Sequence, residues 1–286
     1  MAEVALAEER ASSPDGDELL LVEDLTKHFP VTRGIIFQHQ VAAVKAVDGI
    51  TFSVREGETL GVVGESGSGK STVARCIARL IEPSDGAILI DGADVAKLSA
   101  RKLRPHRKRV QIVFQDPYRS LNPRRSVGAA IVEGPINFGT APDMAHERAR
   151  QLMRLVGLDP DALERYPHQF SGGQRQRICI ARALAMDPEI LVADEPVSAL
   201  DVSVQAQVLE LIDDVRKRFN LAVLFITHDL RVAAQVCDRI AVMHRGEVVE
   251  EGTTAAVFAA PKHDYTRALF DSAPGRGFDF GKFDAE

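Results

Sequence analysis

The sequence predicts an α/β protein, built on a mostly parallel sheet with an antiparallel β subdomain near its start and an inserted helical subdomain. Three observations predict it. Short, largely apolar runs at Leu60 to Val63, Val110 to Phe114, Ile190 to Ala193, Ala222 to Ile226 and Ile240 to Met243 suit strands buried on both faces. Helical patterns separate these runs, and strand alternating with helix is the pattern of α/β folds. The octapeptide Gly64-Glu65-Ser66-Gly67-Ser68-Gly69-Lys70-Ser71 falls between the first run and a helical segment, Thr72 to Leu80. That is the strand-to-helix junction the GxxxxGK[ST] pattern requires.

Each element follows from local composition. Met1 to Asp17 carries Glu3, Glu8 and Glu9 before its first basic residue, Arg10, which is the reverse of a secretory signal, and reads as a disordered tail. Glu18 to Phe29, Ala46 to Val54 and Gly86 to Ile90 are β-prone and separated by Gly and Asp turns, predicting the antiparallel sheet. Arg101, Lys102, Arg104, Arg107, Lys108 and Arg109 form a basic run without the aromatic residues that base stacking needs. It reads as a solvated face leading into the strand at Val110. From about Pro117 to Leu184, Pro and Gly punctuate helical patterns such as Met144 to Val156, predicting the helical insert. In Gln205 to Phe219, Val208, Leu211, Ile212, Val215 and Phe219 share one stripe, as in an amphipathic helix. Pro274 to Glu286 is rich in Gly and Asp and reads as loose. No internal repeat is visible, so the expectation is one domain over residues 18–260 with a C-terminal extension over 261–286.

Composition excludes several classes. The chain has 286 residues, 45% of them hydrophobic, enough for a large core. A net charge of -6 gives no overall attraction to nucleic acid or to an anionic membrane. Cys76, Cys179 and Cys237 are odd in number and far apart, which suits a reducing compartment and offers no CxxC metal or redox pattern. A transmembrane helix takes roughly 20 mainly apolar residues, longer than any apolar run here. The chain cannot carry a solute across a membrane alone.

The chemistry lies in the motifs. Gly64, Gly67 and Gly69 let backbone wrap closely around phosphates, and the amides of the following helix favour negative charge. Gly64, Glu65, Ser66, Gly67, Ser68, Gly69, Lys70, Ser71 and Thr72 are therefore candidate nucleotide-binding residues, with Lys70 on the β- and γ-phosphates and the Ser71 hydroxyl on Mg²⁺. Asp194-Glu195 ends a buried strand, where open α/β sheets bind ligands. Asp194 is the candidate Mg²⁺ carboxylate, direct or one shell removed, and Glu195 the candidate general base for the attacking water. Ser171-Gly172-Gly173-Gln174 opens a helix and could form a second anion site. Alone it would be only a turn and a cap.

Taken in order, this phosphate loop, Gln115, Ser171 to Gln174, Asp194-Glu195, Ser198-Ala199-Leu200-Asp201 and His228 resemble the ATP-binding subunit of an ABC transporter. The resemblance implies the ABC ATPase fold, a P-loop NTPase core, with ATP and Mg²⁺ as cofactors. It implies a head-to-tail dimer in which Ser171, Gly172, Gly173 and Gln174 cap the nucleotide of the other subunit. Within it Gln115 would sense Mg²⁺ and the attacking water, His228 would bond the γ-phosphate, and Asp201 would lie at the dimer seam. Phe29 occupies the place of the aromatic that stacks on adenine, although Val31 to Val44 is longer than in minimal members of the family. Gln115-Asp116-Pro117-Tyr118, Ser120-Leu121-Asn122-Pro123-Arg124, Phe170, Glu195-Pro196-Val197-Ser198 and Pro261 to Leu269 resemble the oligopeptide and dipeptide importer branch, nearest its F-type ATPase subunit. That branch implies an unlike D-type ATPase partner, two transmembrane permease subunits and a secreted or periplasmic binding protein, with this chain peripheral on the cytoplasmic face of the inner membrane. Peptide is the expected cargo, with nickel or glutathione as alternatives. No cysteine follows Cys237, so no iron-sulfur cluster is expected. A soluble relative acting on ribosomes or DNA is the rival reading, and it would call for two fused ATPase domains or a long coiled coil.

Overall fold

The computed structural model describes residues 18–33 and 39–272; the tail expected over 1–17, the middle of the long segment between Val31 and Val44, and the loose end from Pro274 lie outside them. Among the described residues ten strands form two sheets. In the first, β1 (Glu18–Arg33) and β2 (His39–Arg55) run antiparallel, and β4 (Asp85–Ile90) and β5 (Ala93–Asp94) complete the order β2-β1-β4-β5. The second has the order β10-β9-β3-β8-β7-β6, from β3 (Thr59–Val63), β6 (Val110–Val113), β7 (Ile190–Asp194), β8 (Ala222–Thr227), β9 (Arg239–His244) and β10 (Glu247–Thr253). Five of these strands are parallel and β10 is the antiparallel edge. Mixed α/β sheets often carry such an edge strand.

The period-2 alternation of the parallel strands divides the interior into two cores. Ile190 and Val192 of β7, Ala222, Leu224 and Ile226 of β8, and Ala241 and Met243 of β9 face the antiparallel sheet and α1 (Lys70–Ile77). Their neighbours Leu191 and Ala193, Val223 and Phe225, and Ile240 and Val242 face the helical side. Both sets are fully buried, which explains why these strands appear in the sequence as unbroken apolar runs.

The first of the remaining helices, α2 (Ala100–Arg109), is the basic run. Arg101, Lys102, Arg107 and Lys108 are exposed, but Arg109 turns inward, donating to Glu189 from Nη2 at 2.6 Å and to Asp91 at 3.2 Å. That residue thus joins α2 to the start of β7 rather than belonging to a solvated face. Between β6 and β7 lie α3 (Pro117–Ser120), α4 (Val127–Asn137), α5 (Pro142–Leu155) and α6 (Gly172–Leu184), whose apolar faces supply Ile131, Leu152, Met153, Ile178 and Ile180 to the helical-side core. After β7 come α7 (Val202–Phe219), α8 (Leu230–Val236), α9 (Thr254–Ala259) and α10 (Asp264–Ser272). Val208, Ile212 and Val215 of the predicted stripe are buried, and Leu211 and Phe219 pack at its margin. Among the described residues no helix is long and apolar enough to cross a membrane. Cys76, Cys179 and Cys237 are all buried free thiols.

Phe225 lies in the middle of β8, with β3 on one side and β7 on the other, and has no exposed surface. Phe225→Ala should lower stability by about 3–5 kcal/mol, the usual cost of an aromatic-sized void. Equilibrium urea denaturation checks it; a loss below 1 kcal/mol, roughly that of a surface substitution, would show that the helical-side core re-closes around the void.

Candidate functional site

Parallel packing places the ends of β3, β6, β7 and β8 along one edge of the sheet. From that edge the chain continues into Gly64 to Gly69, Gln115, Glu195 and His228 respectively. Residues distant in sequence therefore share one cavity of about 870 Å³. It is lined by Gly64, Glu65, Ser66, Gly67, Gly69, Lys70, Ser71, Thr72, Gln115, Glu195 and His228, all singled out above. Val44, Lys45, Ala46, Arg245 and Leu269 complete the wall.

The loop's shape depends on glycine at two close approaches. Gly69 has φ of 110°, and a Cβ there would stand 2.1 Å from the Ala46 carbonyl oxygen of β2. Gly64 has φ of 151°, and its Cβ would stand 2.2 Å from the carbonyl oxygen of Met243 in β9. Further bonds draw the same segments together: the Gly246 amide donates to the Ser68 carbonyl and the Asp48 amide to the Gly246 carbonyl, both at 2.9 Å.

Lys70 bends back over the loop. Its ammonium donates to the carbonyls of Gly64 at 2.8 Å and Glu65 at 2.7 Å, with the Ser68 hydroxyl at 3.4 Å. Burial lowers its pKa, and the nearby Glu195, Asp194 and Glu65 carboxylates oppose that shift. The Ser71 hydroxyl donates to Asp194 at 2.9 Å. Burial raises the Asp194 pKa, against the stabilising Ser71 hydrogen bond and the charge of Arg75.

Glu195 sits in the left-handed region at φ of 49°, unusual for a residue other than glycine, and its amide donates to the Ile226 carbonyl at 2.9 Å. That turn directs its carboxylate between two partners. Gln115 Nε2 donates to one oxygen at 3.1 Å, and His228 Nδ1 lies 3.1 Å from the other. Once its amide nitrogen faces Glu195, Gln115 keeps its oxygen as an acceptor.

Ser171, Gly172, Gly173, Gln174 and Asp201 lie outside this cavity. Ser171 caps α6: its hydroxyl accepts from the Gln174 amide at 3.3 Å, and the Gln174 side chain accepts from the Ser171 amide at 2.9 Å. This box leaves the Gly172 and Gly173 amides as the helix's outermost donors. A Cβ on Gly173 would stand 2.3 Å from Val204 of α7, whose N-cap is Asp201. The start of α6 is also tied to the Gln115 segment, through Gln176 Nε2 donating to the Phe114 carbonyl at 3.3 Å and the Arg175 guanidinium 3.8 Å over the Tyr118 ring. Phe29 too is absent from the cavity wall; it is half exposed under Lys27 and pairs in register with Val44, which does line the wall. Sequence reasoning missed Val44 to Ala46, Arg245 and Leu269 as wall residues because nothing local marks them as such: strand order brings the first four to the loop, and the return of α10 brings Leu269.

All the oxygen donors near Ser71 suit a hard divalent ion. Among the described residues no group of three or more His, Cys, Asp or Glu could hold a metal by itself. A site of Ser71, Asp194 and Gln115 therefore fits Mg²⁺ only if phosphate oxygens supply the remaining ligands, its usual habit in nucleotide enzymes.

A family model described as "ABC transporter" matches residues 47–198. The oligopeptide transport ATP-binding protein AppF of Bacillus subtilis is 49% identical over 261 residues, covering 90% of this chain and 79% of that protein. The glutathione import ATP-binding protein GsiA of Salmonella paratyphi A is 48% identical over 91% of this chain but only 42% of its own length. Among solved structures, a dimeric ATP-binding cassette bound to ADP and phosphate after hydrolysis has a TM-score of 0.72 at 28% identity, over 82% of this chain and 98% of that one.

Because a buried carboxylate with a raised pKa costs folding energy while ionised, Asp194→Asn should raise the melting temperature of the nucleotide- and Mg²⁺-free protein at neutral pH. The gain should shrink as pH falls toward about 4, where the aspartate of the unfolded chain also protonates. Thermal unfolding across pH checks it; equal melting temperatures at pH 7 would show that the Ser71 hydrogen bond already offsets the burial.

Proposed function

The chain belongs to the ABC transporter ATP-binding family, and from that premise we propose that it is the ATP-hydrolysing subunit of a peptide importer. The observation that carries the catalytic part is Glu195 held between Gln115 and His228 above the phosphate loop. Peptide as cargo is supported by the 49% identity to an oligopeptide transport subunit over 90% of this chain. Glutathione is the second reading, supported by the similar identity to a glutathione import subunit.

The residues assign themselves to steps. Gly64 to Thr72 cradle the triphosphate, with the loop's amides after Glu65 donating to it, and Lys70 exchanges the Gly64 and Glu65 carbonyls for β- and γ-phosphate oxygens. Ser71, Asp194 and Gln115 would hold Mg²⁺, which when bound neutralises charge building on those oxygens. Glu195 accepts the proton of the water that attacks the γ-phosphorus as the bond to the bridging oxygen breaks, and Gln115 and His228 fix its carboxylate for that transfer. His228 also lies on the cavity wall, where its ring can donate to the γ-phosphate. The purine is assigned to the β1–β2 side, where Phe29 is register-paired with Val44.

Ser171 to Gln174 and Asp201 act on another subunit's nucleotide. Their position outside this chain's own cavity and the place of the Gly172 and Gly173 amides in the first turn of α6 support that assignment, as does the likeness to a dimeric cassette. The partner in this reading is an unlike D-type ATPase, with two permeases spanning the membrane, a binding protein delivering the cargo, and this chain peripheral on the cytoplasmic face.

Glu195→Gln in the assembled transporter should still bind ATP but lose about 10²-fold or more of its turnover, as expected when a general base is removed. Steady-state phosphate release and nucleotide binding measured together check it. Undiminished hydrolysis would remove Glu195 from the base role. Hydrolysis in the wild-type transporter that rises with peptide-loaded binding protein, and not with glutathione, decides the cargo.

A further inference from the structure

The C-terminal segment, which no step above uses, is fastened at one end and touches the phosphate loop at the other. Glu250 of β10 accepts hydrogen bonds from the Lys262 amide at 2.8 Å and the His263 amide at 2.9 Å. His263 Nδ1 in turn accepts from the Tyr265 amide at 3.1 Å, fixing the first turn of α10. From that anchored turn the Tyr265 ring lies on His244 with centroids 3.8 Å apart, and its hydroxyl accepts from the Glu65 amide at 3.3 Å. One turn later Leu269, nearly buried, lines the nucleotide cavity.

The Glu65 N–H and the Gly64 carbonyl belong to one peptide unit. That unit is planar, so fixing the direction of one end fixes the other. In this structure it is held from both sides, the carbonyl by Lys70 and the N–H by Tyr265. When Lys70 leaves for the phosphates the carbonyl loses its partner. Rotation of that plane is shared between ψ of Gly64, where no Cβ opposes it, and φ of Glu65, so the peptide could then turn its carbonyl oxygen toward the incoming anion. Tyr265 is the restraint that remains.

We propose that Tyr265 is a positioning residue for ATP, holding the Gly64 to Glu65 peptide plane so that the loop keeps its binding shape after Lys70 moves. The inference rests on the ATP-hydrolysing reading above. It makes α10 part of the nucleotide site rather than an appendage to the fold.

The test is Tyr265→Phe in the full chain, which keeps the ring on His244 and removes only the hydroxyl. One hydrogen bond of ordinary strength corresponds to about a two- to tenfold change in affinity. The ATP dissociation constant of the purified chain, read by calorimetry, and the KM of the assembled transporter should both rise by that factor. Values of kcat and melting temperature should stay near those of the wild type. Arg267→Ala, which breaks only the surface pair with Asp264, should change none of these. An unchanged dissociation constant overturns the proposal, as does a fall in kcat at constant KM or an equal rise with Arg267→Ala. A wild-type transporter that binds ATP without hydrolysing it would instead defeat the catalytic reading, and the binding comparison would still decide the role of Tyr265.

Discussion

Burial of the parallel sheet on both faces is the constraint from which the rest of this molecule follows. Each of β3, β7, β8 and β9 sends alternate residues into two different cores. A one-residue slip would exchange those two sets of side chains, so register is fixed by packing on both faces at once. Fixed register and parallel direction bring four strand ends to one edge. The phosphate loop, Gln115, Glu195 and His228 are neighbours for that reason alone, since no short stretch of chain connects them.

The edge so built is electrostatically costly, and the groups on it share the cost. Lys70 is buried and its ammonium disfavoured, yet it is surrounded by the carboxylates of Glu195, Asp194 and Glu65. Asp194 is disfavoured as an anion and leans on Ser71 and Arg75. A triphosphate with a divalent cation would meet every one of these groups with a counter-charge or a donor. In this structure these charges are satisfied by the carbonyls of Gly64 and Glu65 and the hydroxyl of Ser71, each of which can be exchanged for a ligand atom.

Much of this was legible in the sequence, and the boundary of legibility has a physical cause. Five apolar runs gave the central strands because burial on both faces removes polar residues from them. The order of motifs gave the residues lining one cavity because glycine at Gly64 and Gly69 and acids after an apolar strand leave a local mark. The helix after Asp201 was visible from its stripe. Arg109, placed in a solvated face by its basic neighbours, pairs instead with Glu189 and Asp91, since an ion pair across 80 residues leaves no trace in local composition. Val44 to Ala46, Arg245 and Leu269 were invisible as wall residues for the same reason, as was the contact of Tyr265 with the Glu65 amide. Phe29 shows the opposite limit: its place in the order of motifs pointed to the cavity, whereas strand register puts its partner Val44 on the wall.

The two backbone contacts at Gly64 and Gly69 carry a further meaning. The loop presses against the Ala46 carbonyl on one side and the Met243 carbonyl on the other, each far away along the chain. Its eight residues are thus a cast taken from a mould, and the mould is made by strands β2 and β9. A side chain at either glycine would meet one of those carbonyls, so the fit of the octapeptide depends on backbone that lies outside it. The loop's form thus rests on the relation between three stretches of backbone, two of which, in β2 and β9, its own sequence does not contain.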